Sequence, residues 1–113
     1  MIQPQFCFFR GSTPAVELLL PMDCTAQDVL YATFSQGDRT VVEYAQNGQP
    51  DRPGTGTMET EGRLVRLQMS QQDTLAFDCG DCELQLRIKT EDGADTFFPL
   101  WGIVGPVRKE GLI

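Results

Sequence analysis

Over residues 64–90 the chain alternates apolar and polar positions in two runs, one on each side of a short polar corner. In the second run Leu84, Leu86 and Ile88 share one side of an extended segment, and Glu83, Gln85, Arg87 and Lys89 share the other. A period of two marks a strand with one face buried and one face in water. Val65, Leu67 and Met69 repeat that pattern before the corner, so the two strands send their apolar rows into one core. Between them Ser70-Gln71-Gln72-Asp73 supplies a capping side chain for a single helical turn, with Leu75 and Phe77 placed to plug the core below.

The rest of the chain reads the same way. Residues 6–9 suit a strand, but Arg10-Gly11-Ser12-Thr13-Pro14 interrupts it, so the first edge strand is split or begins twice. Val16, Leu18 and Leu20 alternate with Ala15, Glu17 and Leu19 until Pro21 stops the ladder. Residues 23–28 read as a loop. Residues 29–35 form a strand in which Leu30, Ala32 and Phe34 oppose Val29, Tyr31 and Thr33, and Gln36-Gly37-Asp38 turns it onto residues 40–45. After Asn47-Gly48, residues 49–56 hold two prolines and two glycines and are expected to be a mobile, exposed loop. Residues 57–60 make a short strand that turns at Glu61-Gly62 into residues 63–69.

Glu91-Asp92-Gly93 is a further hairpin signal before a last main strand over residues 95–100. There Thr96, Phe98 and Leu100 oppose Phe97, Pro99 and Trp101. Gly102, Gly105 and Pro106 are expected to break its regularity, with Ile103, Val104 and Val107 continuing as an irregular edge. Seven or eight short strands without a sustained helix predict an all-β fold. The expectation is an immunoglobulin-like antiparallel β-sandwich, as one domain over residues 1–113.

Composition narrows the function. The 113 residues carry sixteen acidic and nine basic side chains, a formal charge of −7 that repels phosphate backbones and anionic membrane surfaces. Neither nucleic acid nor membrane is an expected partner, and no apolar run approaches a membrane span. The N-terminus lacks the basic start and apolar core of a secretory signal, so synthesis in the cytoplasm is expected.

Histidine is absent, which removes the commonest general base and metal ligand together. The chain is therefore read as non-enzymatic, with no cofactor and no metal. Asp73, Asp78 and Asp81 cluster around the corner without calcium-loop spacing, and capping and solvation account for them. Cys79-Gly80-Asp81-Cys82 has C-x-x-C spacing, but Cys82 opens a strand instead of following a helix start. Cys7 and Cys24 are too far apart in sequence to act as a second zinc pair, so four reduced thiols are expected, with no bridge between Cys79 and Cys82. Trp101 with Phe97, Phe98 and Tyr31 could form an aromatic platform for a sugar ring, and a small carbohydrate-binding module is the alternative reading.

Several of these features recur together elsewhere. Gly11-Ser12-Thr13-Pro14 before an alternating strand, the Glu61-Gly62 turn, residues 71–77 at the corner, and residues 83–90 before Asp92-Gly93 resemble small prophage proteins of Gram-positive bacteria. In particular they resemble the immunoglobulin-like N-terminal domain of phage baseplate upper proteins. That resemblance implies a structural or adaptor protein of a phage tail or baseplate, made in the bacterial cytoplasm and associated with the virion. It acts through other tail proteins or through self-association. Phe97, Trp101, Ile103 and Val104 are the expected interface, an apolar strip on the C-terminal edge with Trp101 near its centre.

Overall fold

In the computed structural model, residues 4–20, 22–89 and 95–107 are described, with backbone alone over 95–98. The chain folds into β1 (Phe6–Phe9), β2 (Ala15–Leu19), β3 (Val29–Gln36), β4 (Arg39–Gln46), β5 (Thr57–Glu61), β6 (Leu64–Gln68), α1 (Gln71–Leu75), β7 (Gly80–Lys89) and β8 (Asp95–Gly105). A five-stranded sheet in the order β1-β8-β7-β3-β4 packs on a three-stranded sheet in the order β2-β6-β5. The result is the expected immunoglobulin-like sandwich, with one parallel pair, β1 on β8, among antiparallel neighbours.

Period-two patterning builds the interior. Cys82, Leu84, Leu86 and Ile88 of β7 are buried while the residues between them are exposed. They lie beside Leu30, Ala32 and Phe34 of β3, and Val16, Val65 and Leu67 close the core from the smaller sheet. Phe34 is the centre of an aromatic cluster. Its ring meets Phe6, Phe77 and Tyr44 nearly at right angles, at 5.8, 5.5 and 6.3 Å between centroids. Edge-to-face contacts at such separations add to the burial of each ring.

The split start resolves into a change of sheet, since β1 joins the larger sheet and β2 the smaller one. Three expectations are corrected here. Leu75 does not plug the core: α1 turns Asp73 and Thr74 inward, leaving Leu75 on the solvent side while Phe77 fills the core. Gly102 and Gly105 do not break the last strand, which runs unbroken through Gly105. The hairpin signal at Glu91-Asp92-Gly93 lies outside the described residues.

The third correction concerns residues 49–56, which are tied down. Glu43 N–H donates to Arg52 O at 2.8 Å and Gly54 N–H to Glu43 O at 3.2 Å, so this segment runs along the open side of β4. Its far end is held by Asp73. Ser70 caps α1 by accepting the Asp73 N–H at 3.1 Å, which aims the Asp73 carboxylate into the domain. There it accepts from Tyr44 Oη–H at 2.5 Å, from Thr55 N–H at 2.9 Å and from Gly56 N–H at 2.9 Å. A Cβ at Gly54 would lie 2.6 Å from Asp73 Oδ2, so only glycine permits this approach.

Burial alone would raise the Asp73 pKa, but the hydrogen bonds from Tyr44, Thr55, Gly56 and Ser70 outweigh it and hold the carboxyl below its ordinary value. Tyr44 is pushed upward by its burial, by the bond to Asp73 and by the Asp73 charge.

Leu86→Ala should cost about 2 to 5 kcal/mol in urea unfolding, because Leu86 lies in the middle of the buried row. Asp73→Ala should cost about 3 kcal/mol or more by stranding the Tyr44, Thr55 and Gly56 donors, and Asp73→Asn should cost less by keeping one acceptor oxygen. Asp73 has a lowered folded pKa, so its contribution is present above the unfolded value near about 3.9 and is lost as pH falls through the folded value. Melting temperature against pH should therefore show an acid limb in the native protein that is shallower in Asp73→Asn.

Candidate functional site

Because the smaller sheet covers only one side of the five-stranded sheet, the other side faces outward. Alternation along β7 sends Asp81, Glu83, Gln85, Arg87 and Lys89 there. Register places Thr33 beside both Gln85 and Glu43, and Glu83 between Ser35 and Trp101. Two adjoining grooves lie on this face.

The first, of about 310 Å³, is lined by Tyr31, Thr33, Glu43, Gln49, Asp51, Gln85 and Arg87. Its Glu43 carboxylate is held in place, accepting from Thr33 Oγ1–H at 2.5 Å and from Asp51 N–H at 2.9 Å. The Tyr31 ring packs against the backbone of Gly48, where no Cβ would fit. The second groove, of about 400 Å³, is lined by Ser35, Gln36, Gly37, Asp81, Cys82, Glu83 and Trp101. Gln36 is spent on the fold: its amide donates to Asp78 O at 2.7 Å and accepts from Asp78 N–H at 2.8 Å. Trp101 and Tyr31 therefore serve separate grooves, and the side chains of Phe97 and Phe98 lie outside the described residues. Among the described residues no single aromatic platform forms.

A separate feature lies along the outer edge. β1 is the terminal strand, and Phe9, Ile103, Val107 and Leu75 are exposed beside it, by 38%, 39%, 40% and 43%. The Phe9 ring lies over Gly105, where a Cβ would come within 2.6 Å of it. Leu75 and Val107 both approach Gly11, and Arg10 donates to Leu75 O at 3.1 Å, which joins the corner to the end of β1.

Of the four expected interface residues, Ile103 lies on this edge and Trp101 borders it, half-buried. Val104 does not belong: it is 1% exposed, because a strand cannot show two successive residues to the same side. The expected C-terminal edge is also displaced, since β8 is flanked by β7 and β1 and the true edge is β1. Phe9 joins this edge without having been expected there, because Phe6, Cys7, Phe8 and Phe9 are apolar throughout and only the folded strand shows that Phe6 and Phe8 face inward and Cys7 and Phe9 outward.

The three aspartates of the corner are not brought together. Asp73 is buried, Asp78 pairs with Arg39 at 3.3 Å, and Asp81 lines the second groove. Cys79 and Cys7 are exposed thiols, and Cys24 and Cys82 are buried ones. Burial drives the Cys82 thiol up to about 12, with a smaller push from the Glu83 charge against a lowering hydrogen bond from the Ser35 backbone. Cys24 is also raised, by burial first and then by Asp28. Among the described residues no three His, Cys, Asp or Glu side chains gather as a metal site requires, and no helix is long and apolar enough to cross a membrane.

Neither a family model nor a curated protein matches the chain. Among solved structures it is similar to CopC from Methylosinus trichosporium OB3b, with a TM-score of 0.53 and 18% identity over 89% of this chain and 85% of that one. At that identity the likeness establishes the β-sandwich fold alone. The tail or baseplate role implied by the sequence resemblance is corrected by this comparison, in which a solved structure covering 89% of the chain is CopC and not a phage tail or baseplate protein.

Proposed function

We propose that this domain is a non-enzymatic recognition module that binds a polar ligand on the outer face of its five-stranded sheet. The observation that carries this reading is the pair of adjoining grooves, which set hydroxyls, amides and carboxylates beside Tyr31 and Trp101 on a face that no other described element covers. Such a lining can both donate and accept hydrogen bonds around an aromatic contact, which suits a ligand with many polar groups.

The absence of catalysis is supported by where the perturbed groups lie. Asp73 and Tyr44 satisfy each other inside the fold, and the raised Cys24 and Cys82 thiols are the opposite of activated nucleophiles. The charge of −7 supports a ligand other than nucleic acid or an anionic membrane.

The test is a nitrogen-15 chemical-shift titration with two probes, a neutral hexasaccharide and hexalysine. The expected result is perturbation of Thr33, Gln85 and Trp101 by one of them, with affinity falling about tenfold, or about 1.4 kcal/mol, in Gln85→Ala at unchanged melting temperature. Perturbation confined to β2, β5 and β6, or none from either probe, would overturn the reading.

A further inference from the structure

We propose that the second groove holds cationic side chains of a partner protein, presented by an extended segment in which lysine or arginine recurs at every second residue. This assignment deepens the recognition role of the outer face and rests on it. The observation that carries it is a repeat of two carboxylate–apolar pairs across β7 and β8, with Glu83 opposite Trp101 and Asp81 opposite Ile103.

Backbone geometry brings the members of each pair together. Gln5 N–H donates to Trp101 O at 2.9 Å and Arg10 N–H to Gly105 O at 3.0 Å, so the odd-numbered residues of β8 turn their backbone groups toward β1. Toward β7 the same residues make the non-hydrogen-bonded pairs, whose Cα atoms lie about 4.5 Å apart and whose side chains are the closer ones. Residues directly opposite share a face, and the exposed Asp81 and Glu83 place both pairs on the outer one. Ile103 is exposed there and Trp101 is half-buried.

Each pair offers what a long cationic side chain needs. The apolar member covers a methylene stem while the carboxylate meets the charged head, and at Glu83 that head also comes within reach of the indole ring, which attracts cations. Among the described residues neither carboxylate has a hydrogen-bond or ion-pair partner, whereas the neighbouring Asp78 is already paired with Arg39. The wider face is complementary in charge. Glu43, Asp51, Asp81 and Glu83 line the two grooves against Arg87 alone, in a chain of formal charge −7, so a cationic segment is attracted and an anionic one repelled. Along β7 the sign changes from Asp81 and Glu83 to Arg87 and Lys89, which confines the cations to the second groove. Residues on one face of a strand recur about every 6.8 Å, and an extended partner presents alternate side chains at the same interval. A Lys-x-Lys run therefore matches Asp81 and Glu83.

Trp101 is the only tryptophan of the chain, so its fluorescence reports on this groove. Hexalysine at low ionic strength should change that fluorescence saturably and shift the amide resonances of Asp81, Glu83 and Trp101 more than those of β2, β5 and β6. Glu83→Gln should weaken hexalysine binding at least about tenfold. Ile103→Thr, which removes apolar surface and no charge, should weaken it about threefold. Glu59→Gln loses the same charge on the smaller sheet and should leave binding unchanged, with circular dichroism melts verifying the fold of all three variants. Equal weakening by Glu83→Gln and Glu59→Gln, or indifference to Ile103→Thr, would overturn the inference by reducing the binding to net charge. A neutral hexasaccharide that shifts the outer face while hexalysine does not would overturn it and leave the recognition role standing, and silence from both probes would remove the two together.

Discussion

The carboxylate of Asp73 is the constraint on which the two ends of this sandwich depend. A buried carboxylate is costly unless its oxygens are occupied, and here one Tyr44 hydroxyl and the backbone amides of Thr55 and Gly56 occupy them. Three segments far apart in sequence are thereby fixed to one another: the corner before β7, the middle of β4 and the approach to β5. The close passage of Gly54 past the same carboxylate makes the arrangement intolerant of a larger residue at that position.

Holding Gly54 and its neighbours against β4 does more than stabilise the fold. It covers one edge of the five-stranded sheet and builds the wall of the first groove, where Asp51 and Gln49 stand over Tyr31 and Thr33. Among the described residues no segment runs along the opposite edge in this way. Phe9, Leu75, Ile103 and Val107 are exposed near β1, while Leu19, the most exposed apolar side chain among the described residues, lies on β2 of the smaller sheet.

A shared sandwich does not carry a shared activity, because function is set by side chains placed on the scaffold. The likeness to CopC rests on the scaffold alone, and the proposed function rests on the side chains of the outer face. That face mixes donors, acceptors and two half-buried aromatic residues, while the strongly perturbed groups are spent inside the fold. The proposed recognition role rests on that distribution.

Much of the architecture was legible in the residues because a strand with one buried face must alternate, and local alternation needs no knowledge of the partner strand. The rows of Leu84, Leu86 and Ile88 and of Val65 and Leu67, the Ser70 cap and the plug at Phe77 all follow from spacing within a few residues. What tertiary structure alone decided depends on contacts between distant segments. Residues 49–56 look like a free loop because proline and glycine exclude regular structure, yet their hydrogen bonds go to Glu43 and Asp73, which spacing cannot reveal. Val104 was placed on the surface because composition does not say which residue of an apolar run faces inward; the register of β8 against β7 and β1 does. Sequence therefore determined which segments are strands and which of their faces is apolar, through local periodicity. The order of strands, and with it the identity of the edge strands and the placing of the two grooves, required the long-range pairing of the folded chain.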